Sequence, residues 1–415
     1  MENVSARDSL VTTPFKGFSK VALGILAAIT AAGVGFWIYQ LIHGLTVTGM
    51  SNANSWGVYI ILFMFFVGLS AGGLIVASSA HVFNIEKFKK VALPAVITST
   101  VCIVLAAMFV LIDLGGIQRI LNLFIHPNFA SPLMWDVVVI SLYLIINILD
   151  IVWLKKDDEK KVHVLSFFAL PCAILVHSVT AWIFGLQISR TWFTAILAPI
   201  FVASACDSGL SLLLIGLVFL EGRGVFETGK PLMKSLAGLL CVFIAVDAFF
   251  ITCELLTMGY PGAEESVALR VMTSGATAPY FWFEIVCGLI IPFIILCRPK
   301  MREKKATIVT AGVLVILGVL CKRIWLLLTA FIAPFANGSE VVPGYKMIAD
   351  AGSFGAAGTF YAPTGTEIAI VCGVLALGVL AFLVLCQALL KNTKYPFLKL
   401  FQILGFFQIG RASCR

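Results

Sequence analysis

Ten apolar runs of about 19 residues or more, at roughly 20–44, 56–83, 91–112, 134–154, 164–186, 196–220, 235–257, 279–297, 306–333 and 366–390, leave this chain little choice of fold. Each is long enough to cross a bilayer as an α-helix at about 1.5 Å per residue. The chain is 60% hydrophobic and only 12% charged, a balance outside the range of water-soluble domains. An all-α polytopic membrane protein is expected, one integral domain over 1–415 with the lipid bilayer as its solvent. The polar lead Met1 to Ser19 runs straight into the first apolar run without a short hydrophobic region and small-residue cleavage site, so the first helix is expected to stay in the membrane.

An even number of spans puts both termini on one side. Of the 29 basic residues, 23 fall in the lead, the loops 84–90, 155–163, 221–234 and 298–305, and the tail. The opposite loops hold Arg119, Arg190, Arg270 and Lys346, and only Lys322 and Arg323 lie inside a span. Cytoplasmic loops carry the excess of Lys and Arg, so both termini are expected in the cytoplasm. The net charge of +8 therefore reads as topology and not as affinity for nucleic acid. Loops 113–133, 258–278 and 334–365 face outward and hold enough Gly and Pro for irregular docking segments. The terminal GRASCR is unlike the rest and takes no role.

Within the second span, Ser55 to Gly73, small residues (Gly68, Ser70, Ala71, Gly72, Gly73) stand where a lone lipid-facing helix would carry Leu and Val. Small residues let another helix or a flat ligand approach the backbone. A second version follows 136 residues later, with Trp192 on Trp56 and Ser204 to Gly209 on Gly68 to Gly73. Extending the alignment carries helices 2–5 (55–186) onto helices 6–9 (191–333). Pro132-x-x-Trp135-Asp136 then matches Pro279-x-x-Trp282-x-Glu284, Asp113 matches Glu254, and His177 matches Lys322 and Arg323. Equivalent helices cross in the same direction, so two four-helix bundles related by an axis along the membrane normal are expected, with helices 1 and 10 flanking them.

Ionisable groups inside a bilayer cost at least about 2.5 kcal/mol each and should face the interior in pairs. Counted at about 1.5 Å per residue, Arg323, Glu254 and Glu284 fall in the outer third, where two carboxylates can neutralise Lys322 and Arg323. Asp207 and Asp247 count nearer the midplane and His177 slightly above it, so the set reads either as helix-fixing ion pairs or as a file of protonatable groups. The eleven Cys include no C-x-x-C pair, and His177 is the one His deep in a span. No metal site, iron–sulfur cluster or bis-His haem is expected in this chain.

Taken together, Trp56-Gly57-x-Tyr59, the run Phe65-Phe66-x-Gly68-x-Ser70-Ala71-Gly72-Gly73, Asp113-Leu114-Gly115 with Arg119, Pro132-x-x-Trp135-Asp136 and His177-Ser178 resemble the polysulfide reductase/NrfD family of integral membrane subunits. The likeness covers helices 2–9. Ten helices are similar to its longer branch, with the hydrogenase-2 and alternative complex III subunits, some of which are thought to move protons. The resemblance implies a subunit in the inner membrane of a prokaryote that binds menaquinone or ubiquinone near the outer face. It implies electron exchange with a ferredoxin-like 4Fe-4S subunit there, with a molybdopterin or other catalytic subunit beyond. Carried over by position, His43 and the outer end of helix 2, with Trp56, Tyr59 and Gly68, would border the quinone, and Asp136 would lie beside it. Asp113, His177, Asp207, Asp247, Glu254, Glu284, Lys322 and Arg323 would form a proton path or charge network. The competing readings are a secondary transporter with its ion site at Asp207 and Asp247, and a purely structural anchor.

Overall fold

A computed structural model describes residues 18–51, 54–187, 190, 192–260, 265–332 and 361–390. Among them are ten helices long and apolar enough to span a membrane, one for each apolar run, and no strand. They are α1 (Lys20–His43), α2 (Val58–Val82), α3 (Ala92–Asp113), α4 (Pro132–Lys156), α5 (Glu159–Gly185), α6 (Leu197–Gly222), α7 (Lys230–Gly259), α8 (Ala278–Cys297), α9 (Lys305–Ile332) and α10 (Gly365–Leu389). The chain is a multi-pass integral membrane protein. Below, the end where α1 begins is the basic face and the opposite end the cation-poor face. The polar lead before Phe18, Lys346 and the terminal GRASCR lie outside the described residues.

Helix starts follow their local chemistry. Asp158 accepts from the Lys161 backbone N–H and caps α5, and α10 opens with a capping box between Thr364 and Glu367. α4 and α7 carry proline in the first turn, where no N–H is missed. Two of the loops expected to be irregular instead contain short helices, Ile120–Ile125 and Glu265–Ser274. The second is pinned by Trp282 Nε1 donating to the Thr273 carbonyl at 2.9 Å and by Thr277 and Thr329 hydroxyls 2.8 Å apart. Most of the third loop lies outside the described residues.

The molecule is arranged around α2, buried without a break from Tyr59 to Ser78, whereas α1 buries only Gly33 and Gln40. α2 packs on α3 and α5, and α4 completes a ring against both. In the second half α6 packs on α7 and α9, and α8 completes the corresponding ring. The rings meet where α2 lies on α6, flanked by the pairs α2–α9 and α5–α6. α1 pairs with α10, which rests on α3.

Apolar burial gives little drive between helices already in lipid, so close packing must hold this seam. A Cβ on Gly72 would fall 2.0 Å from the Ala205 carbonyl oxygen, and one on Gly209 2.6 Å from Gly72 Cα. Above this contact Trp56 and Trp192 stack with ring centroids 6.2 Å apart. α8 departs from regularity, since Phe283–Ile290 winds as a π-helix, which holds more residues per turn than an α-helix.

Candidate functional site

Two buried polar regions stand out, both toward the cation-poor half. In the first, Tyr59 on α2 donates its hydroxyl to Gln40 Oε1 at 2.7 Å, and Gln40 Nε2 donates to the Ile112 carbonyl at 3.0 Å. The next residue, Asp113, has an Oδ1 with no hydrogen-bond partner among the described residues. The start of α10 closes this end of the molecule. The Glu367 carboxylate accepts from the backbone N–H of Gly49 and of Thr364, both at 2.8 Å, and from the Tyr361 hydroxyl at 2.6 Å. Tyr361 oxygen in turn accepts from the Val58 N–H at 2.9 Å. Burial and the hydrogen bond to Glu367 push the Tyr361 hydroxyl well above the ordinary tyrosine range, so it remains a donor.

The five residues expected around a ring-shaped ligand make separate contacts. Tyr59 is in the spot just described. His43, one turn beyond Gln40, is exposed, with Nδ1 at 2.9 Å from the Tyr39 carbonyl and its ring against Tyr39. Trp56 packs on Phe184 and Trp192. Gly68 faces the His177 ring, to which a Cβ would come within 3.2 Å. Asp136, buried on α4, accepts from the Thr180 hydroxyl of α5 at 2.7 Å. None of these contacts joins two of the five.

The second region is the charged interior of α6–α9. Lys322, wholly buried, lies 3.3 Å from Asp247 and 3.4 Å from Glu284. Trp325 Nε1 donates to the other Glu284 oxygen at 2.5 Å. Arg323 donates to Ser204 Oγ at 2.7 Å and to His177 Nε2 at 3.3 Å, with its guanidinium 3.8 Å above the Phe201 ring. Depth counted along the sequence pairs Glu254 and Glu284 with the two cations. In the structure Asp247 takes the place expected of Glu254. The reason is where α7 starts: at Lys230, not 235, so Asp247 and Lys322 both stand 17 residues into their helices, at one level. Glu254 lies seven residues, or about 10 Å, farther along α7, buried and with Oε1 unpartnered among the described residues. Both Asp207 carboxylate oxygens are buried and unpartnered in the same sense.

Further polar groups escaped the sequence reading. Ser99 Oγ donates to Asn147 Oδ1 at 2.7 Å and lies 2.7 Å from Tyr143 OH, which donates to the Ser70 carbonyl at 2.9 Å. The signal was present as Tyr143, Asn147 and Asp150, spaced four and three residues apart on one face of an apolar run. Gln40, three residues before His43, carried the same kind of signal.

A ten-helix membrane protein with a buried hydrogen-bonded polar pair toward one face and ionisable groups buried inside its second ring of helices is the class that fold and site define. The family model for polysulphide reductase, NrfD, matches residues 46–334, and the chain belongs to that family. It is 34% identical over 401 residues to a Halobacterium salinarum protein named as a dimethyl sulfoxide reductase membrane subunit, covering 89% of this chain and 91% of the relative. It is 31% identical over 326 residues to the Hdr-like menaquinol oxidoreductase integral membrane subunit of Archaeoglobus fulgidus, covering 78% and 81%. A selenate reductase subunit of Mesobacillus selenatarsenatis is 25% identical over 362 residues, covering 77% and 84%.

Proposed function

We propose that this chain is the quinone-interacting membrane subunit of a respiratory oxidoreductase in a prokaryotic inner membrane, and that it exchanges electrons with an iron–sulfur protein docked on the cation-poor face. The name of the Archaeoglobus relative, a menaquinol oxidoreductase subunit, supports the substrate class. The observation that carries the placement is the buried Gln40–Tyr59 pair beside the unpartnered Asp113 oxygen at that face.

A quinol supplies two electrons and two protons, and the chain must bind the ring, receive protons and keep the ring near the surface where electrons leave. Tyr59 and Gln40 offer a donor and an acceptor within one hydrogen-bonded pair, suited to the two oxidation states of a ring oxygen. Asp113, next in the chain to the Ile112 carbonyl that holds Gln40, would take a proton, and His43 stands one turn outward toward solvent. Asp136, bonded to Thr180 across the α4–α5 pair, serves that pair and not the ring.

The interior of α6–α9 supports proton movement as a second part of the same activity. Four carboxyl groups (Asp207, Asp247, Glu254, Glu284) share it with two cations (Lys322, Arg323), so two bound protons bring the set to neutrality in a medium that penalises net charge. His177 on α5 reaches Arg323 on α9 and links this set to the first bundle.

The test is quinol-driven electron transfer in membranes holding assembled complexes. Tyr59→Phe, Gln40→Leu and Asp113→Asn are each expected to lower turnover by about tenfold or more, and Asp136→Asn to leave inhibitor affinity unchanged. Wild-type turnover in all three, with loss in Glu284→Gln, moves the ring to the second bundle.

A further inference from the structure

A cavity of about 710 Å³ lies between α1, α3, α6 and α10 in the half of the molecule toward the basic face. Its wall along α6 runs from Leu212 to Arg223, about 16 Å at the helical rise, close to the roughly 15 Å depth of one leaflet's hydrocarbon. The interior is apolar. Its polar wall atom deeper in, the Thr98 hydroxyl, is already bonded to the Pro94 carbonyl of its own helix at 2.9 Å. Protein interiors pack densely, and an apolar space of this size excludes water, so in a bilayer it fills with hydrocarbon.

At the basic end of the cavity, where α6 ends and α1 starts, Phe18 stacks on Phe219 with ring centroids 6.1 Å apart. Arg223 stands there with its guanidinium 5.6 Å from the Phe219 ring centroid, exposed and in no ion pair among the described residues. A chain entering at head-group depth therefore brings its head to a cation. We propose that this cavity is a binding site for an anionic phospholipid of the leaflet at the basic face, with an acyl chain inside and the phosphate on Arg223. The site lies at the opposite end of the molecule from the Gln40–Tyr59 pair and stands independently of the quinone reading.

The full chain, stripped with detergent and then exchanged into nanodiscs of phosphatidylglycerol or phosphatidylcholine, is released and weighed by native mass spectrometry. Wild type is expected to retain one phosphatidylglycerol with about fivefold preference over phosphatidylcholine, the scale of one basic residue at an anionic surface. Arg223→Gln, an exposed change that spares packing, is expected to abolish the preference. Gly216→Leu, which projects into the cavity toward Phe382, is expected to remove the bound lipid of either kind. Equal retention of both lipids by wild type, retention unchanged by either variant, or an isoprenoid quinone in place of the phospholipid would each overturn the proposal.

Discussion

Lys322 and Glu254 separate two meanings of a buried charge. Lys322 holds two carboxylates, so Lys322→Met leaves Asp247 and Glu284 facing each other without a cation and should cost about 3–5 kcal/mol. The expected outcome is loss of folded chain in detergent-solubilised thermal unfolding. Glu254 holds neither cation directly, so Glu254→Gln is expected to unfold like wild type yet to slow quinol turnover. Equal destabilisation by both changes would make Glu254 part of the same structural set. Glu367 is a third kind of residue. Its carboxylate collects the Gly49, Thr364 and Tyr361 donors, which ties α10 to the segment before α2, and Glu367→Ala should cost at least the ~1 kcal/mol of a lost helix cap. The same thermal measurement decides it, and an unchanged midpoint would mean that the cap contributes nothing. The sequence carries the cap as Thr364-x-x-Glu367 just before an apolar run, but not the bond to Gly49, a residue from the other end of the chain.

Elements were the most legible level. Every apolar run became a helix with ends within a few residues of those read from hydropathy, because length and apolarity alone decide whether a segment spans a bilayer. The small-residue stretch in α2 was legible for the same reason, and Gly72 is where it presses hardest on α6. Gly72→Leu has no room against the Ala205 carbonyl and must part the bundles; aggregation or a lowered unfolding midpoint after detergent extraction is the expected result. Gly24, with nothing within 4 Å of its added Cβ, is the control position for the same substitution. Pairing between elements was less legible. A five-residue difference in the start of α7 shifted Asp247 by more than a helical turn, enough to exchange it for Glu254 beside Lys322. Sequence spacing gives depth along one helix well, but depth between helices only as well as both ends are known.

At the scale of the whole molecule, the excess of Lys and Arg at one end makes orientation testable. A cysteine replacing exposed Asp157, between α4 and α5, should react with a membrane-impermeant maleimide only from the cytoplasm. One replacing exposed Phe129, before α4, should react only from the opposite side. The reverse pattern would place the Gln40–Tyr59 pair, and any partner docked over it, in the cytoplasm. The two rings of helices share their neighbour pattern, yet the second is no copy of the first. Proline and tryptophan open both α4 and α8, but the acid follows tryptophan directly in α4 (Asp136) and one position later in α8 (Glu284). The π-helical turns of α8 are where such an extra residue can be absorbed without breaking the helix, and they turn the carboxylate inward to Lys322. If the halves descend from one ancestral unit, one inserted residue accounts for the acid's offset from tryptophan in α8, and with aspartate exchanged for glutamate it leaves one half's acid on a lysine and the other's on a threonine.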